Sequence, residues 1–445
     1  MSVVFWFRRD LRLQDNEALS FAASQGEVSP VFAIPDDFES LTPIRQHSLL
    51  ASLTSLDADL PKGLGVLRNL EALASFVKES GAKRVIATRS FDPRGMLEQA
   101  RLSELLFPLG IALELIGSNY AVAPGTIKKE DGQPLKVYTP FYKRWFVHGW
   151  ERPFRLDVES VSWTDNSGLS QLPLASGPAP FEIKAGEAFA LRTWARFAKR
   201  ALAGYSEDRN RPDLSGTSHL SHALAHGEIH PRTLLQSLGD LPGQETFRKE
   251  IAWREFYADV LFNNPHTLTE YFNPDFAKMR YASPVADSAL LEAWKNGLTG
   301  YPIVDAAMRQ LKQTGWMHNR ARMIVASFLV KDLHFEWQVG AEHFERWLTD
   351  FDPASNSHGW QWTAGCGTDA SPYYRVFNPI LQGEKFDPRG DYVRRYVPEL
   401  AHIHGPEIHQ PWALVDGLAH GYPAPIVDHS AERDESLRRL KELKA

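Results

Sequence analysis

The chain has 445 residues, 43% of them hydrophobic, and a formal net charge of −6 at pH 7. This length allows two or three domains with large cores, and the composition excludes a disordered chain. The modest negative charge excludes a uniformly basic nucleic-acid coat, although a local basic groove is compatible with it. The single cysteine, Cys366, excludes an internal disulfide and any metal site built on several cysteines.

The N-terminal residues do not have the pattern of a targeting segment. Arg8 and Arg9 introduce charge too early for the apolar part of a signal peptide. No apolar run approaches the roughly 20 residues that span a bilayer. We therefore expect a cytoplasmic protein that does not interact with membranes.

The first part of the chain alternates strand-like and helix-like patterns. The predicted strands are 3–7, 30–34, 84–88 and 111–116. The predicted helices between them include 17–23, 69–80 and 96–107. This alternation predicts an α/β domain with a doubly wound parallel sheet at residues 1–130. No Gly-x-Gly-x-x-Gly follows the first strand, so we expect no dinucleotide on this domain.

Two further regions follow. Residues 131–186 contain recurring glycine, proline and serine, which predicts a linker between domains. Residues 187–445 have a helical period almost throughout, which predicts a larger all-α domain. Because nine of the 13 tryptophans lie between Trp194 and Trp412, we expect the chemistry in this helical domain.

Thr217 and Ser218 precede an apolar helical pattern. Hydroxyl residues are favoured at helix N-termini, where free backbone N–H groups can bind a phosphate. An ordinary helix cap without a ligand is the alternative interpretation.

Further along the chain, helical spacing places polar and aromatic residues on common faces. Glu250 and Trp253 are three apart and share a face, although a surface helix with a Glu–Arg pair has the same pattern. Asn319 and Met323 are four apart, and the asparagine amide can donate to and accept from a base edge. Arg322 can bind a carboxylate through two N–H groups.

Trp360 and Trp362 are two apart, so on a helix they point to nearly opposite sides. One ring can therefore face a buried cofactor while the other faces a substrate pocket. A packed aromatic core is the alternative interpretation.

Together these motifs resemble the DNA photolyase/cryptochrome family, most closely a class I cyclobutane pyrimidine dimer photolyase. The resemblance begins at residues 5–16, includes residues 138–141 and is densest between 205 and 400. It implies an α/β antenna domain followed by a larger all-α FAD- and DNA-binding domain. It also implies light-dependent dimer repair, in which photoexcited reduced FAD donates an electron to a dimer flipped out of the DNA.

The resemblance implies a set of FAD contacts. The segment 217–221 binds the pyrophosphate, and Asn356 faces flavin N5. The full set is Tyr205, Thr217, Ser218, His219, Leu220, Ser221, Arg254, Asn319, Arg322, Asp350, Phe351, Asp352 and Asn356. His219 stands where the family usually has arginine, so we expect weaker or pH-sensitive phosphate binding. An antenna chromophore, methenyltetrahydrofolate or 8-hydroxy-deazaflavin, is compatible with the family, and its identity stays open.

The implied partner is UV-damaged DNA, single- or double-stranded, bound by a monomer. Its contacts are Arg209, Glu250, Trp253, Asn319, Arg320, Met323, Trp362 and Gln382. In the reaction, Glu250 hydrogen-bonds the dimer, and Asn356 acts beside the flavin.

The implied electron path begins at Trp360 and continues to Trp337. The family's third tryptophan is not matched, since that position aligns near Pro284. Tyr281 lies nearby in the sequence as a candidate substitute.

Three related functions remain as alternatives. A light-sensing cryptochrome would bind FAD without repair, but plant members usually carry Asp and animal members Cys where this chain has Asn356. A (6-4) photolyase would carry a histidine pair around residues 318–323, whereas Asn319 and Met323 follow the dimer-repair pattern. A flavin-free DNA-binding protein of the same fold would be colourless.

Overall fold

The computed structural model describes residues 2–169, 172–179, 181–369 and 374–443. The chain forms two compact units. The first comprises Met1–Ala203 and Ser218–Pro265, and the second comprises Gly204–Thr217 and His266–Ala445. The domain boundaries expected near residues 130 and 186 stay predictions.

Within the described residues, the first unit contains one sheet of five parallel strands. The strands are β1 (Ser2–Phe7), β2 (Glu27–Ala33), β3 (Gly65–Leu67), β4 (Arg84–Thr88) and β5 (Ala112–Ile116). Their order is β3-β2-β1-β4-β5. Strands β2 and β3 therefore lie on one side of β1, and β4 and β5 lie on the other, as in a doubly wound sheet. The predicted doubly wound α/β fold is confirmed. Only the three-residue β3 was missed, because so short a run has no detectable period.

The helices alternate with these strands and then continue alone. In chain order they are α1 (Glu17–Gln25), α2 (Pro43–Asp59), α3 (Leu70–Glu79), α4 (Pro93–Leu106), α5 (Tyr138–His148), α6 (Glu187–Arg200), α7 (Tyr205–Asp208), α8 (Ser221–His226), α9 (Pro231–Leu235), α10 (Pro242–Asn263), α11 (Ser288–Asn296), α12 (Pro302–Thr314), α13 (Asn319–Ser327), α14 (Trp337–Trp347), α15 (Pro353–Ala364), α16 (Pro379–Phe386), α17 (Asp391–Tyr396) and α18 (His429–Leu443). A π-helical turn, Phe328–Asp332, follows α13.

Several helices of the first unit begin where the sequence provides a side-chain acceptor. Asn16 accepts from the backbone N–H of Leu19 at 3.1 Å, which starts α1. Asp92 accepts from Gly95 at 3.0 Å, and Pro93 at the first position favours the start of α4. These caps are local, and they determine where α1 and α4 begin.

Both faces of the central strand are buried. Phe5 and Phe7 pack into one apolar cluster that includes Leu53, while Trp6 packs into another that includes Leu73. Burial on both faces is typical of a parallel sheet between two helical layers.

Every regular element in the described part of the second unit is a helix. Its core contains large aromatic side chains, among them Trp294, Phe328 and Trp337. The predicted helical domain is therefore confirmed. Among the helices of the described residues, none has the length and hydrophobicity to cross a bilayer.

Candidate functional site

In the first unit, α10 carries Glu250, Trp253 and Arg254, and a buried carboxylate holds this helix in place. Glu255 accepts hydrogen bonds from the backbone N–H of Val122 at 3.1 Å and from Trp145 Nε1 at 2.6 Å. Burial raises the pKa of Glu255 to about 7, while these donors act in the opposite direction. This anchor was not predicted, because no local sequence pattern shows that a helical glutamate is buried.

The Trp253 ring is positioned by an aromatic partner. It stacks on Tyr138 with ring centroids 3.7 Å apart and an interplanar angle of 8°. The Tyr138 hydroxyl donates to the carbonyl oxygen of Lys249 at 2.8 Å, which holds the pair against α10. One face of Trp253 is therefore covered, and at most one face is left for a stacked ligand. Residues 138–141 belong to the motif that carries the resemblance, but this role of Tyr138 was not foreseen.

Arg254 is held by carbonyl groups of the first unit. Its two terminal nitrogens donate to the carbonyl oxygens of Asn119 and Leu224, each at 3.2 Å. Its guanidinium carbon lies 4.6 Å from the centroid of the Tyr120 ring. The expected contact of Arg254 with a flavin stays a prediction.

The segment 217–221 differs from the predicted cap. The chain turns at His219, whose φ is +54°, and α8 begins only at Ser221. Leu220 occupies the cap position, and its backbone N–H donates to Ser218 Oγ at 3.3 Å. The prediction that Thr217 and Ser218 cap the helix is therefore wrong, because Leu220 is the cap and the left-handed backbone at His219 separates both residues from the helix. Their role as phosphate ligands stays a prediction.

In the second unit, Arg322 and Asp350 form an ion pair. Arg322 Nη2 donates to Asp350 Oδ2 at 2.6 Å, and Arg322 Nε donates to the carbonyl oxygen of Met317 at 2.9 Å. Arg322 binds a carboxylate, as expected from its sequence context, but through one N–H group rather than two. The bond from Arg322 Nε to Met317 instead connects α13 to the residues that precede it.

The other carboxylate oxygen of this pair makes the site suitable for a ligand. Asp350 is 5% exposed, and its Oδ1 has no hydrogen-bond partner in the part of the chain that the structure describes. A buried acceptor without a donor is costly, so this atom requires a ligand or water. The ring system of FAD offers N–H donors, and the buried acceptor Oδ1 of Asp350 therefore fits this cofactor.

The start of α15 places two more predicted ligands close to Asp350 in the sequence. Asp352 Oδ1 accepts from the backbone N–H of Ser355 at 2.8 Å and caps the helix, with Pro353 at its first position. One turn later, Asn356 Nδ2 donates to the carbonyl oxygen of Ala341 at 3.0 Å. These bonds hold both side chains in a fixed orientation. Phe351, between the two aspartates, is partly buried.

Helix α13 separates two kinds of side chain. Asn319 is exposed, and Met323, one turn later, is partly exposed. Arg320 donates to Asn210 Oδ1 at 2.7 Å, and its guanidinium lies 4.4 Å from the centroid of the Phe386 ring. Arg322 is directed to the buried Asp350 instead. The contacts of Arg320 with Asn210 and Phe386 were not predicted, because no local pattern brings these residues together.

The remaining predicted residues of the second unit are placed as follows. Tyr205 is buried, and the Arg209 guanidinium lies 6.0 Å from its ring centroid. Trp362 is partly buried and donates from Nε1 to the carbonyl oxygen of Asp369 at 3.1 Å. Thr217 and Gln382 are partly exposed. Trp360 is buried on the same helix as Trp362, and the opposite orientation of the two rings stays a prediction.

Trp360 and Trp337 both lie in an aromatic core. The Trp360 ring packs edge-on against Trp294 and Phe344, with centroids 6.2 and 5.0 Å apart. Trp337 meets Tyr271 edge-on at 6.2 Å. The indole N–H groups of Trp360 and Trp337 have no hydrogen-bond partner among the described residues. The two rings thus serve the packing of the core, which is compatible with a role in electron transfer.

Gly340 makes room for the Trp360 ring, and this leads to a prediction. A Cβ atom at position 340 would lie 2.1 Å from Trp360 Cη2. We expect Gly340→Ala to displace the ring and to lower the free energy of unfolding by about 1–3 kcal/mol. Gly359→Ala is the matched control, because its Cβ would meet nothing within 4 Å; it should gain up to about 1 kcal/mol. Urea denaturation measures both, and equal stability of the two variants would contradict the close contact.

Two family models match this chain. The model of the FAD binding domain of DNA photolyase matches residues 247–442, and the model of DNA photolyase matches residues 3–155. The chain is also similar to the deoxyribodipyrimidine photo-lyase of Agrobacterium fabrum. The two are 39% identical over 468 residues, which cover 98% of this chain and 96% of that protein.

Two solved structures have a similar fold over nearly the whole chain. One is a bacterial class III photolyase from Agrobacterium tumefaciens, with a TM-score of 0.88, 37% identity and coverage of 100% of this chain and 98% of that one. The other is a cryptochrome from Synechocystis sp. PCC6803, with a TM-score of 0.88, 28% identity and coverage of 98% of both chains.

Proposed function

The chain belongs to the DNA photolyase family and is a flavoenzyme of light-driven DNA repair, and from this we propose that it splits cyclobutane pyrimidine dimers. The name of the Agrobacterium fabrum relative, deoxyribodipyrimidine photo-lyase, supports this substrate. When bound, FAD supplies the light-driven one-electron chemistry that opens the dimer. The work of this chain is to hold the cofactor, position the dimer and exclude water. Membership in class I stays a proposal, because a class III structure is also similar.

The main support for this proposal is that side chains of α13 fall into two groups, one in contact with a buried carboxylate and one accessible to solvent. Arg322 on this helix pairs with Asp350, whose second oxygen is buried and available to a cofactor. Asn319 and Met323 instead remain accessible. An amide that can read a base edge beside an apolar side chain suits a pyrimidine dimer. One short helix thus supports both a flavin contact and a lesion contact.

The residues proposed to contact DNA divide into base and phosphate contacts. Trp253 offers one ring face for stacking, because Tyr138 covers the other. Arg209 and Arg320 supply positive charge for phosphates, so binding should weaken with salt. A dimer stacks and pairs poorly, and flipping it out therefore costs only a few kcal/mol.

Four further features belong to the proposal. We place the antenna domain at residues 1–130, the linker at 131–186 and the FAD- and DNA-binding domain at 187–445. The enzyme would act as a monomer in the cytoplasm. An antenna chromophore, a folate or a deazaflavin, would bind in addition to FAD. Size-exclusion chromatography and the absorption spectrum of extracted chromophores test the monomer and the antenna directly.

The direct test of the proposed reaction is repair of a defined thymine-dimer oligonucleotide. Purified, chemically reduced, FAD-loaded protein is incubated under blue light and in darkness, and intact thymines are measured by chromatography. We expect repair in the light only. If a yellow protein restored no thymines, dimer repair would be excluded. The same assay with a (6-4) photoproduct would then separate the two remaining alternatives.

Glu250 gives a prediction specific to the lesion contacts. We expect Glu250→Ala to lower the repair yield severalfold while FAD content changes little, because the carboxylate is proposed to hydrogen-bond the dimer. The matched control is Glu245→Ala on the same helix, where Glu245 pairs with Lys249 at 2.6 Å near the surface. Repair quantum yield and FAD absorbance are measured for both. Equal yields in the two variants would remove Glu250 from the lesion site.

The cryptochrome alternative rests on the similarity to the Synechocystis protein. Glu250, Trp253, Asn319, Met323 and Asn356 favour repair instead, since they match the dimer-repair pattern. Light-induced spectral changes without repair would favour the signalling function.

A further inference from the structure

Two tyrosines continue the aromatic contacts of Trp337. The Trp337 ring meets Tyr271 edge-on, with centroids 6.2 Å apart, and Tyr271 stacks on Tyr281 at 6.3 Å with an interplanar angle of 23°. Trp337 and Tyr271 are buried, whereas Tyr281 is partly exposed. The row therefore leads from the core of the second unit to its surface, and all of its members belong to that unit.

A carboxylate stands at the middle of this row. The Tyr271 hydroxyl donates to Glu336 Oε1 at 3.1 Å. Glu336 precedes Trp337 at the start of α14, and its side chain does not cap the helix. The Tyr281 hydroxyl instead donates to the carbonyl oxygen of Phe276 at 3.0 Å, and a carbonyl cannot take up a proton at neutral pH.

The protonation of the tyrosines suits proton-coupled electron transfer. Burial raises the pKa of Tyr271 and of Tyr281, so both phenols keep their protons at rest. A phenol that loses an electron becomes strongly acidic, and it is readily oxidised only where a base accepts its proton. For Tyr271 this base is the carboxylate of Glu336, which lies within hydrogen-bond distance.

We propose that Tyr271 is the outer electron donor in the photoreduction of bound FAD, with Glu336 as its proton acceptor and Tyr281 as its connection to solvent. This inference rests on the proposed roles of Trp360 and Trp337 as electron-transfer residues. It would provide a terminal donor in place of the tryptophan that the resemblance places near position 284.

In the proposed step Trp337 starts as a radical cation, because it would have supplied, by way of Trp360, the electron that photoreduction delivers to bound FAD. Tyr271 gives one electron to Trp337, its O–H bond breaks, and the proton binds Glu336 Oε1. The products are a neutral indole, a neutral phenoxyl radical and a neutral carboxyl group. An external thiolate then gives one electron, by way of Tyr281, to the Tyr271 phenoxyl radical and becomes a thiyl radical, while Glu336 returns the proton to Tyr271.

A second aromatic branch provides the control. Trp294 lies 6.2 Å from Trp360, His343 lies 5.4 Å from Trp294, and the partly exposed Trp347 lies 6.3 Å from His343, all between ring centroids. This branch also approaches the surface, but it passes through an imidazole, which is harder to oxidise than a phenol. It contains no tyrosine, so the radical formed at its end would be that of a tryptophan.

The experiment uses the full-length, FAD-loaded protein with oxidised flavin. After a blue flash, transient absorption follows the neutral tyrosyl radical, and electron paramagnetic resonance of frozen samples identifies it. We expect Tyr271→Phe to lose the tyrosyl signal and to lower the photoreduction yield severalfold. Glu336→Gln should slow the appearance of the tyrosyl radical and reduce its solvent isotope effect. Tyr281→Phe should keep the radical but slow its reduction by thiol, and Trp347→Phe should behave as wild type.

Each outcome decides the inference. A full tyrosyl signal in Tyr271→Phe would overturn it, and so would a radical lost in Trp347→Phe instead. Phenylalanine removes only the hydroxyl, so the ring contacts are retained. Glu336→Gln provides a second test at a different residue. Dimer repair by the chemically reduced Tyr271→Phe variant should equal that of wild type. If wild type itself repaired no dimers, the proposed function would fail, while the radical measurement would still decide the role of Tyr271.

Discussion

Trp360→Phe is expected to reduce photoreduction of oxidised FAD by about tenfold or more, equivalent to a barrier increase of about 1.4 kcal/mol. Trp360 is 3% exposed and is the proposed first donor to the flavin. A benzene ring is much harder to oxidise than an indole, so the path should be interrupted at its first member. The smaller ring also leaves a void, and we expect the free energy of unfolding to fall by about 1–3 kcal/mol.

The measurement separates electron transfer from structure. Photoreduction is followed by the bleaching of oxidised FAD under blue light with an external thiol, and dimer repair is followed with chemically reduced protein. Trp412→Phe is the matched control, because Trp412 packs edge-on against Tyr301 at 5.5 Å in the same unit without a proposed redox role. Repair should persist in both variants. Normal bleaching in Trp360→Phe would exclude the proposed path.

Arg322→Ala is expected to cause the largest loss of cofactor. The side chain of Asp350 is 1% exposed, so removing Arg322 leaves a buried carboxylate without its ion-pair partner. Breaking a buried pair in this way costs about 3–5 kcal/mol. Part of this cost is relieved by solvent, because the Arg322 side chain is 26% exposed. We therefore expect a mostly colourless protein with a reduced Tm.

Arg309 offers a closely matched control for this prediction. It donates to both carboxylate oxygens of Glu399, at 2.8 and 2.9 Å, and from Nε to the carbonyl oxygen of Gly297 at 3.0 Å. Arg309→Ala should be destabilised by about 1–2 kcal/mol, because Glu399 keeps access to water. It should retain FAD. The ratio of flavin to protein absorbance and thermal denaturation distinguish the two variants, and a fully yellow Arg322→Ala protein would contradict the assignment of Asp350 to the flavin site.

The local predictions succeeded where a short stretch of sequence carries its own signal. The strand 84–88 was predicted with the bounds that the structure has, and α1 begins at residue 17, as predicted. The helix predicted from residue 96 begins earlier, at Pro93, where Asp92 caps it. The predicted cap at Thr217 and Ser218 was wrong. Helix α8 begins at Ser221, after a positive φ at His219, and a positive φ at a histidine has no reliable sequence signal.

The sequence by itself determined the α/β and helical regions, because their hydrophobic periods are local. It also determined the family and most candidate site residues, because spaced motifs occur in one order along the chain. The tertiary structure alone decided which side chains meet. The stack of Trp253 on Tyr138, the space at Gly340 for Trp360 and the row from Trp337 to Tyr281 join residues far apart in the chain. Such contacts depend on how helices pack against one another, and no periodicity within a single helix encodes that arrangement.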